Sequence, residues 1–323
     1  MSEAFLHNGI ILIDKPEGIT SFSVVSRLRK ILQVKKIGHA GTLDPFATGL
    51  LTLAVGRATR VLRYMENYDK IYQATMVLGK KTSTGDPEGE VVGGRMPVES
   101  ERVALRENDH AMIRSAISSM VGEITQIPSK YSAIKIAGRP AYDYARKGQE
   151  VSIPERKVTI FDIVVSNIWE ENETFYVDMT VSCSKGTYIR SLCEDIGEKL
   201  GYGAYCRNLR RLKSGRFEIV SAYTLDEIEK KASEGDFSFL LSEDLALAAL
   251  PRIEVSASEA KDIGNGKKLD FSPFKDRMSK VDDILNGQRV LACYQECPVA
   301  VVYVQEDEQG ILQLREERVL EER

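Results

Sequence analysis

The 323-residue chain has little of what metal sites and disulfide frameworks require, with only five cysteines and three histidines. The cysteines are odd in number and lack the Cys-x-x-Cys spacing of a zinc site. No histidine accompanies the closest pair. We therefore predict no metal site and reduced, mostly buried thiols in a cytoplasmic protein. The five are Cys183, Cys193, Cys206, Cys293 and Cys297.

Long hydrophobic runs are also lacking. No apolar segment approaches the roughly 20 residues that cross a bilayer, so we predict no membrane partner. Residues 1–8 lack the basic and apolar regions of a signal peptide. The chain contains neither Gly-x-x-x-x-Gly-Lys-[Ser/Thr] nor Gly-x-Gly-x-x-Gly after a predicted strand. These absences argue against a nucleotide-dependent enzyme.

The charges are distributed unevenly. A net charge of -4 and a pI near 5.7 argue at first against a nucleic-acid-binding protein. The acids, however, gather in residues 226–244 and 306–322, whereas residues 21–63 hold eight cations and one acid, Asp44. A basic run is more often a solvated face. A single acid among these cations nevertheless suits chemistry on a polyanion such as RNA.

Asp44 lies in a glycine-rich stretch, GHAGTLDPFATGLL at residues 38–51. Pro45 disfavours the helical region for Asp44, so we expect an extended or turn conformation there. Neighbouring glycines permit backbone angles and close approaches that other residues resist. An Asp-Pro pair usually marks only a turn. In this basic context it also indicates a loop that presents a nucleophile.

The apolar patterns predict an α+β fold. Residues 9–13 form a short apolar run that indicates a buried strand. Thr20 or Ser21 can cap a helix that follows. Further strands are predicted at residues 50–55, 71–78, 158–169 and 175–183, and helices at residues 109–121 and from residue 184 onward.

The C-terminal part differs in composition. An acidic helical stretch at residues 225–248 precedes short predicted strands from residue 251 onward. This pattern indicates a small β-barrel appended to a larger domain. We place the boundary near Leu250, which gives domains at residues 1–250 and 251–323.

Residues 127–151 interleave cations with tyrosines. Such a segment suits a mobile arm that lies along a nucleic-acid backbone. An exposed loop and helix with tyrosines packed inward explains the pattern equally well. The segment supplies four candidates for RNA-backbone contacts, Lys130, Lys135, Arg139 and Arg146. Three others lie elsewhere, Lys15, Arg210 and Arg211.

Three separated residues are candidates for one site. Asp44 can act as nucleophile or general base, and Arg190 can keep it ionised and oriented. Tyr72, on a predicted strand, can offer a flat surface to an aromatic ring. A stacking surface, one acid and basic surroundings suit a base that has been taken out of an RNA stack.

Several long motifs in order resemble the TruB family, the bacterial tRNA pseudouridine synthases that act on uridine 55 of the T-arm. The motifs are GIILIDKPEGIT (9–20), GHAGTLDPFATGLL (38–51), DKIYQATMVLGKKTSTGD (69–86), IPSKYSAIKIAGRPAYDYAR (127–146), CSKGTYIRSL (183–192) and RNLRRL (207–212). The resemblance implies a mixed antiparallel sheet with flanking helices, the pseudouridine synthase fold. It also implies an RNA-binding thumb at residues 127–151 and a PUA-like C-terminal barrel.

The same resemblance implies roles for individual residues. Asp44 corresponds to the catalytic aspartate, and Arg190 to the arginine that pairs with it. Tyr72 corresponds to the tyrosine that stacks on the flipped base, and His39 to a histidine that inserts near the vacated position. Tyr188 and Leu209 correspond to residues that line the uracil pocket. The isomerisation needs no cofactor, and we predict tRNA but no obligate protein partner.

Two other functions remain open at this point. The same basic segments would serve an RNA chaperone that folds the T-arm without chemistry. A metal-dependent nuclease would need clustered acids in the basic region, where the sequence offers only Asp44.

Overall fold

The structure is a computed structural model that describes residues 8–128, 131, 135–136, 138–140, 144, 149, 152–279 and 286–320. It divides into two compact units, Met1–Leu240 and Leu241–Arg323. The boundary predicted near Leu250 lies within the second unit. Where the chain is described, no helix is both long and apolar enough to cross a membrane.

The first unit contains thirteen strands and five α-helices in its described part. The strands are β1 Gly9–Lys15, β2 Ile37–His39, β3 Thr48–Val55, β4 Lys70–Leu78, β5 Lys81–Thr82, β6 Val91–Gly93, β7 Gly122–Gln126, β8 Lys135–Ile136, β9 Arg139–Pro140, β10 Arg156–Glu171, β11 Thr174–Cys183, β12 Ala204–Ser214 and β13 Phe217–Glu218. The helices are α1 Ser21–Leu32, α2 Leu62–Met65, α3 Glu99–Ser118, α4 Ile189–Lys199 and α5 Leu225–Ser233.

Nine of these strands form one mixed sheet in the order β1-β3-β12-β4-β11-β10-β7, with β2 on β3 and β13 on β12. The pairing of β12 with β3 is parallel, and the other pairings in this sheet are antiparallel. The prediction of a mixed, mainly antiparallel sheet with helices is therefore confirmed.

A large hydrophobic core packs on one face of this sheet, and strands β1 and β3 are buried on both faces. In β11 the alternation predicted from the sequence is confirmed, because every second side chain is fully buried. These residues are Phe175, Val177, Met179, Val181 and Cys183, each 0% exposed. Helices α1 and α4 contribute their apolar sides to the same core.

Helix α1 begins where the sequence predicts. Thr20 is the N-cap, and its side chain accepts a hydrogen bond from the backbone N–H of Ser23 at 3.0 Å. The helix buries Val25, Leu28 and Leu32. The helix therefore anchors the chain segment that leads from its C-terminal end to Asp44.

Two elements differ from the sequence prediction. Strand β12, which pairs with both β3 and β4, was not among the predicted strands. Two register shifts, at Cys206/Asn208 and at Arg211/Lys213, break its alternation and hide the strand pattern. Helix α3 begins at Glu99 rather than Asp109, and non-helical residues from Glu107 to His110 interrupt it.

The second unit contains a six-stranded sheet in the order β15-β19-β18-β17-β14-β16. Its strands are β14 Arg252–Glu254, β15 Leu269–Asp270, β16 Met278–Ser279, β17 Arg289–Tyr294, β18 Cys297–Glu306 and β19 Leu312–Val319, with helix α6 at Ala257–Gly264. The short strands predicted after residue 251 are thus present. The cysteines are free thiols, of which Cys297 is exposed and the other four are buried.

Candidate active site

The loop that carries Asp44 is tied to the start of helix α1. The Ser21 hydroxyl donates to the Leu43 carbonyl at 3.0 Å and accepts from the Leu43 N–H at 2.9 Å. The backbone N–H of Gly18 donates to the Pro45 carbonyl at 2.9 Å. Asp44 therefore sits in a loop whose backbone is fixed on both sides.

Lys15 also holds the loop that carries Asp44. Its side chain is fully buried, and Nζ donates to the carbonyls of Pro16, Ile19 and Pro45 at 2.9, 2.7 and 3.2 Å. Burial lowers the pKa of Lys15 to about 8, while the nearby Asp44 carboxylate opposes this shift. The prediction that Lys15 contacts RNA phosphates is wrong, because its donors are used inside the protein.

Arg190, on helix α4, lies between two carboxylates. Its Nη2 is 3.1 Å from Oδ2 of Asp44, and its Nη1 is 2.8 Å from Oδ2 of Asp86. Nη1 also donates to the Thr84 carbonyl at 2.8 Å. Among the described residues, Arg190 forms no ion pair with Glu194, which lies one turn further along the same helix. The guanidinium instead turns inward, where it is 4% exposed.

Asp86 is the site residue that the sequence reasoning missed. Its side chain is only 3% exposed and also accepts from the Glu88 N–H at 3.1 Å. The acids of residues 82–89 lack the order of an EF-hand loop, so no local pattern marks Asp86 as a site residue. The position of Asp86 within the DKIYQATMVLGKKTSTGD motif was the available signal.

The Asp44 carboxylate remains accessible while its charge is partly balanced. Its side chain is 30% exposed. Burial raises the pKa of Asp44, Arg190 lowers it, and the negative charge of Asp86 raises it further. Arg190 therefore stabilises the ionised form that a nucleophile or base requires.

A pocket of about 310 Å³ opens beside Asp44. It brings together five residues that the sequence assigned to one site, Asp44, Tyr72, Tyr188, Arg190 and Leu209. The remaining lining residues are Gly41, Thr42, Leu43, Glu66, Lys70, Gly186, Thr187, Ile189 and Arg211. The pocket thus combines the Asp44 carboxylate, two tyrosine rings, apolar side chains and several cations, with the exposed Glu66 on its lining as a second acid.

Tyr72 and Arg211 are cross-strand partners in the antiparallel pair β4–β12. Arg211 is 2% exposed, and it donates from Nε to the Leu50 carbonyl at 2.7 Å and from Nη2 to the Gly41 carbonyl at 3.2 Å. The prediction of an RNA-backbone contact for Arg211 is therefore wrong. Burial raises the pKa of Tyr72, with Arg211 opposing this shift, so the phenol stays neutral near pH 7.

Tyr188 and Leu209 reach the pocket from two different elements. Tyr188 is the N-cap residue of α4, and its backbone forms two hydrogen bonds with the buried amide of Gln126. Leu209 lies on β12 opposite Ala74 and is 8% exposed. Both positions are set by the sheet and by the start of the helix.

His39 does not line the pocket. It lies on β2, and among the described residues its buried Nδ1 has no hydrogen-bond partner. Burial lowers the pKa of His39, and the charge of Arg211 lowers it further, so the ring is neutral near pH 7.

The other RNA-backbone candidates are dispersed. Arg210 is 38% exposed and pairs with Asp14 at 2.6 Å. Arg139 is exposed on β9, and Lys135 belongs to β8. Lys130 and Arg146 lie outside the described residues. Within the described part of the chain, no three His, Cys, Asp or Glu side chains are grouped closely enough to hold a metal ion.

Comparison with known proteins places this geometry in a family. The sequence matches the TruB family pseudouridylate synthase N-terminal domain over residues 29–189 and the tRNA pseudouridylate synthase B C-terminal domain over residues 190–246. The chain belongs to the TruB family. Membership makes it a pseudouridine synthase, an isomerase.

Similar TruB proteins cover most of the chain. The tRNA pseudouridine synthase B of Streptococcus gordonii is 44% identical over 261 residues, which are 80% of this chain and 87% of that protein. The tRNA pseudouridine synthase B of Syntrophotalea carbinolica is 42% identical over 284 residues, 88% of each.

Solved structures support the pseudouridine synthase fold. An H/ACA RNP bound to a substrate RNA containing 2′-deoxyuridine has a chain that is 26% identical, with a TM-score of 0.68 over 98% of this chain and 86% of that chain. A chain of a Cbf5-Nop10-Gar1 complex is also 26% identical, with a TM-score of 0.69 over 96% and 84%.

Proposed function

We propose that the chain isomerises uridine 55 in the T-arm of tRNA to pseudouridine, with Asp44 as the nucleophile or base. The observation that carries the proposal is the placement of the Asp44 carboxylate 3.1 Å from the Arg190 guanidinium, in a pocket that Tyr72 also lines. The names of the similar TruB proteins support tRNA as the substrate.

The reaction moves the glycosidic bond from N1 to C5 of the uracil ring. An ionised carboxylate can attack C1′, add to C6 of the ring or accept a proton from the sugar. Each of these roles needs Asp44 charged and next to the nucleoside. Arg190 provides the charge stabilisation, since an opposite charge favours ionisation and a buried pair is screened little.

The pocket suits a base that has left its stack. A volume of about 310 Å³ is at the small end of ligand-binding pockets, enough for one nucleobase. Extrusion costs a few kcal/mol of stacking, which contact with the Tyr72 ring and phosphate contacts elsewhere offset. RNA loops present such bases more readily than continuous duplexes do.

The wider assignments follow from the same proposal. The first unit is the catalytic domain, and residues 127–151 are its RNA-binding thumb. Residues 251–323, which lie within the second unit, form a PUA-like domain. The protein works in the cytoplasm on tRNA and needs no obligate protein partner.

Asp44→Asn tests the chemistry. Tritium release from T-arm RNA labelled at C5 of uridine reports formation of the new bond, because C5 loses its hydrogen. We expect the rate to fall by at least about 10²-fold, the contribution of a positioned acid or base, with RNA affinity retained. Asp226→Asn, at a carboxylate that is 84% exposed, is the matched control and should keep the wild-type rate.

The same assay separates the alternatives. Wild-type protein that folds the T-arm but releases no tritium would be a chaperone without chemistry. Cytidine in place of uridine 55 should abolish release if that position is the target. Continued release from this RNA would contradict the assignment to uridine 55.

A further inference from the structure

Two buried cations flank Tyr72 on the pocket surface. Lys70 precedes Tyr72 by two residues on β4, so both side chains leave the same face of the strand. Arg211 is the partner of Tyr72 on β12. Lys70 and Arg211 both line the pocket and are 8% and 2% exposed.

The contacts of these two cations differ from those of Arg190. Lys70 donates to the carbonyls of Glu66 and Tyr68. Arg211 likewise donates to two backbone carbonyl oxygens, and its guanidinium also interacts with the Tyr72 hydroxyl. Among the described residues, neither forms a salt bridge. The Glu66 side chain on the pocket lining is exposed and pairs with neither.

The two cations are close enough to affect each other. Burial lowers the pKa of Lys70 to about 8, and the charge of Arg211 lowers it further. Two like charges in a buried wall are unfavourable unless negative charge arrives from elsewhere. The arrangement therefore indicates a ligand that carries negative charge at this surface, beside the Tyr72 ring.

The proposed reaction produces such a charge. When the N1–C1′ bond breaks, its electron pair leaves with the uracil ring, which becomes an anion with charge on N1, O2 and O4. The new C5–C1′ bond returns a pair to the sugar, C5 then loses its proton, and N1 gains one. No oxidant, reductant or further reactant is needed.

We propose that Lys70 and Arg211 form a cationic wall that stabilises the negative charge on the detached uracil ring. The inference rests on the proposed function and adds a task distinct from that of Arg190. Arg190 keeps the attacking carboxylate ionised, whereas the cationic wall lowers the free energy of the leaving base. Such fixed charges are most effective in a pocket that excludes water.

The experiment compares Lys70→Met with wild type under single-turnover conditions, using C5-tritiated T-arm RNA. Removing a fixed charge that faces a developing anion typically lowers the rate by about 10²- to 10³-fold. We expect a loss of this size with RNA affinity changed by less than about threefold, since the charge develops after binding. Lys213→Met is the matched control, because Lys213 is 38% exposed and pairs with Glu218, and it should react at the wild-type rate.

A second measurement distinguishes charge from shape. Lys70→Arg keeps the charge but enlarges the side chain, so it should react faster than Lys70→Met and Lys70→Gln. RNA with 5-fluorouridine at the target carries a ring that holds negative charge better. With this substrate the readout is cleavage of the N1–C1′ bond. The rate ratio of wild type to Lys70→Met or Lys70→Gln should be about tenfold smaller than on uridine, because the fluorinated ring needs less help in carrying its negative charge.

The outcomes are separable. Three results would each overturn the proposed cationic wall. The rate loss of Lys70→Met could be equal on uridine and 5-fluorouridine, a neutral variant could react as fast as Lys70→Arg or faster, or Lys70→Met could react at the wild-type rate. Absence of tritium release from the wild-type control would instead overturn the proposed function.

Discussion

Asp86 and Arg190 form an ion pair that is buried on both sides, with Oδ2 and Nη1 2.8 Å apart and side chains 3% and 4% exposed. The same guanidinium also contacts Asp44. Asp86 therefore compensates part of the charge of Arg190 before any substrate binds, and it fixes the direction in which Arg190 meets Asp44.

Removal of Asp86 should destabilise the first unit. Asp86→Ala leaves a buried guanidinium with only one, partly exposed carboxylate, and breaking a buried pair costs about 3–5 kcal/mol. Urea unfolding measures the loss. Glu229→Ala removes an exposed partner of Arg27 and should cost about 0–1 kcal/mol. Equal losses for both variants would contradict a stabilising role of the buried pair.

The pH dependence of catalysis should reflect the surroundings of Asp44. Activity needs the ionised carboxylate, so the rate falls as the pH drops through its pKa. Burial raises the pKa of Asp44, which places this fall at a higher pH than for an ordinary aspartate. Asp86→Asn removes a negative charge that contributes to the rise, so the fall should move to lower pH.

Single-turnover rates measured as a function of pH test this shift. Asp226 is exposed on helix α5, so Asp226→Asn should leave the pH profile unchanged. A fall in rate that moves to higher pH in Asp86→Asn would contradict the prediction that the Asp86 charge raises the pKa of Asp44.

Gly49 should resist substitution for a steric reason. Its φ is +96°, and a Cβ atom would lie 2.8 Å from the backbone N of Arg211, its partner in the parallel β3–β12 pair. Gly18 has a φ of +83° with no atom within 4 Å of a Cβ, so Gly18→Ala reports the backbone strain alone, about 1–2 kcal/mol.

Gly49→Ala should therefore cost clearly more than Gly18→Ala in the free energy of unfolding. It should also lower activity, since displaced backbone at Arg211 moves a wall of the pocket. Similar unfolding free energies for the two alanine variants would mean that β3 and β12 can separate without penalty.

Lys15 should control the rigidity of the Asp44 loop. Lys15→Met removes the ammonium that ties the Pro45 carbonyl to those of Pro16 and Ile19. Amide hydrogen exchange should then accelerate by about tenfold or more at residues 43, 44, 46 and 47, the result of losing about 1.4 kcal/mol of local stability. Strand β11 is the internal control, and its exchange should remain slow. Unchanged exchange in the loop would contradict this role.

The sequence predicted the elements that have regular patterns or family motifs. The alternation in β11 and the cap at Thr20 are local signals, and both are present in the structure. Arg190 was a candidate partner of Asp44 from its charge, and the resemblance implied the pairing, but no local pattern specifies their contact. Asp86 was missed because its partner lies 104 residues further along the chain.

Lys15 and Arg211 show why charge alone predicts exposure poorly. Both were predicted to contact the RNA backbone, yet their donors are taken up by backbone carbonyls that only the folded chain brings near. In β12, the bulges disrupted the period of two on which strand prediction depends. These features arise from tertiary structure, which the pattern along the chain does not encode locally.

The pairing of Tyr72 with Arg211 also has a consequence for how the protein folds. These residues are distant in sequence, and a slip of one position between β4 and β12 would send one of them to the opposite side of the sheet. Long-range strand pairings of this kind are slow to form. During refolding, the recovery of enzymatic activity should therefore lag behind the return of the circular dichroism signal of the helices. The rate of that recovery would then report the last step of sheet assembly.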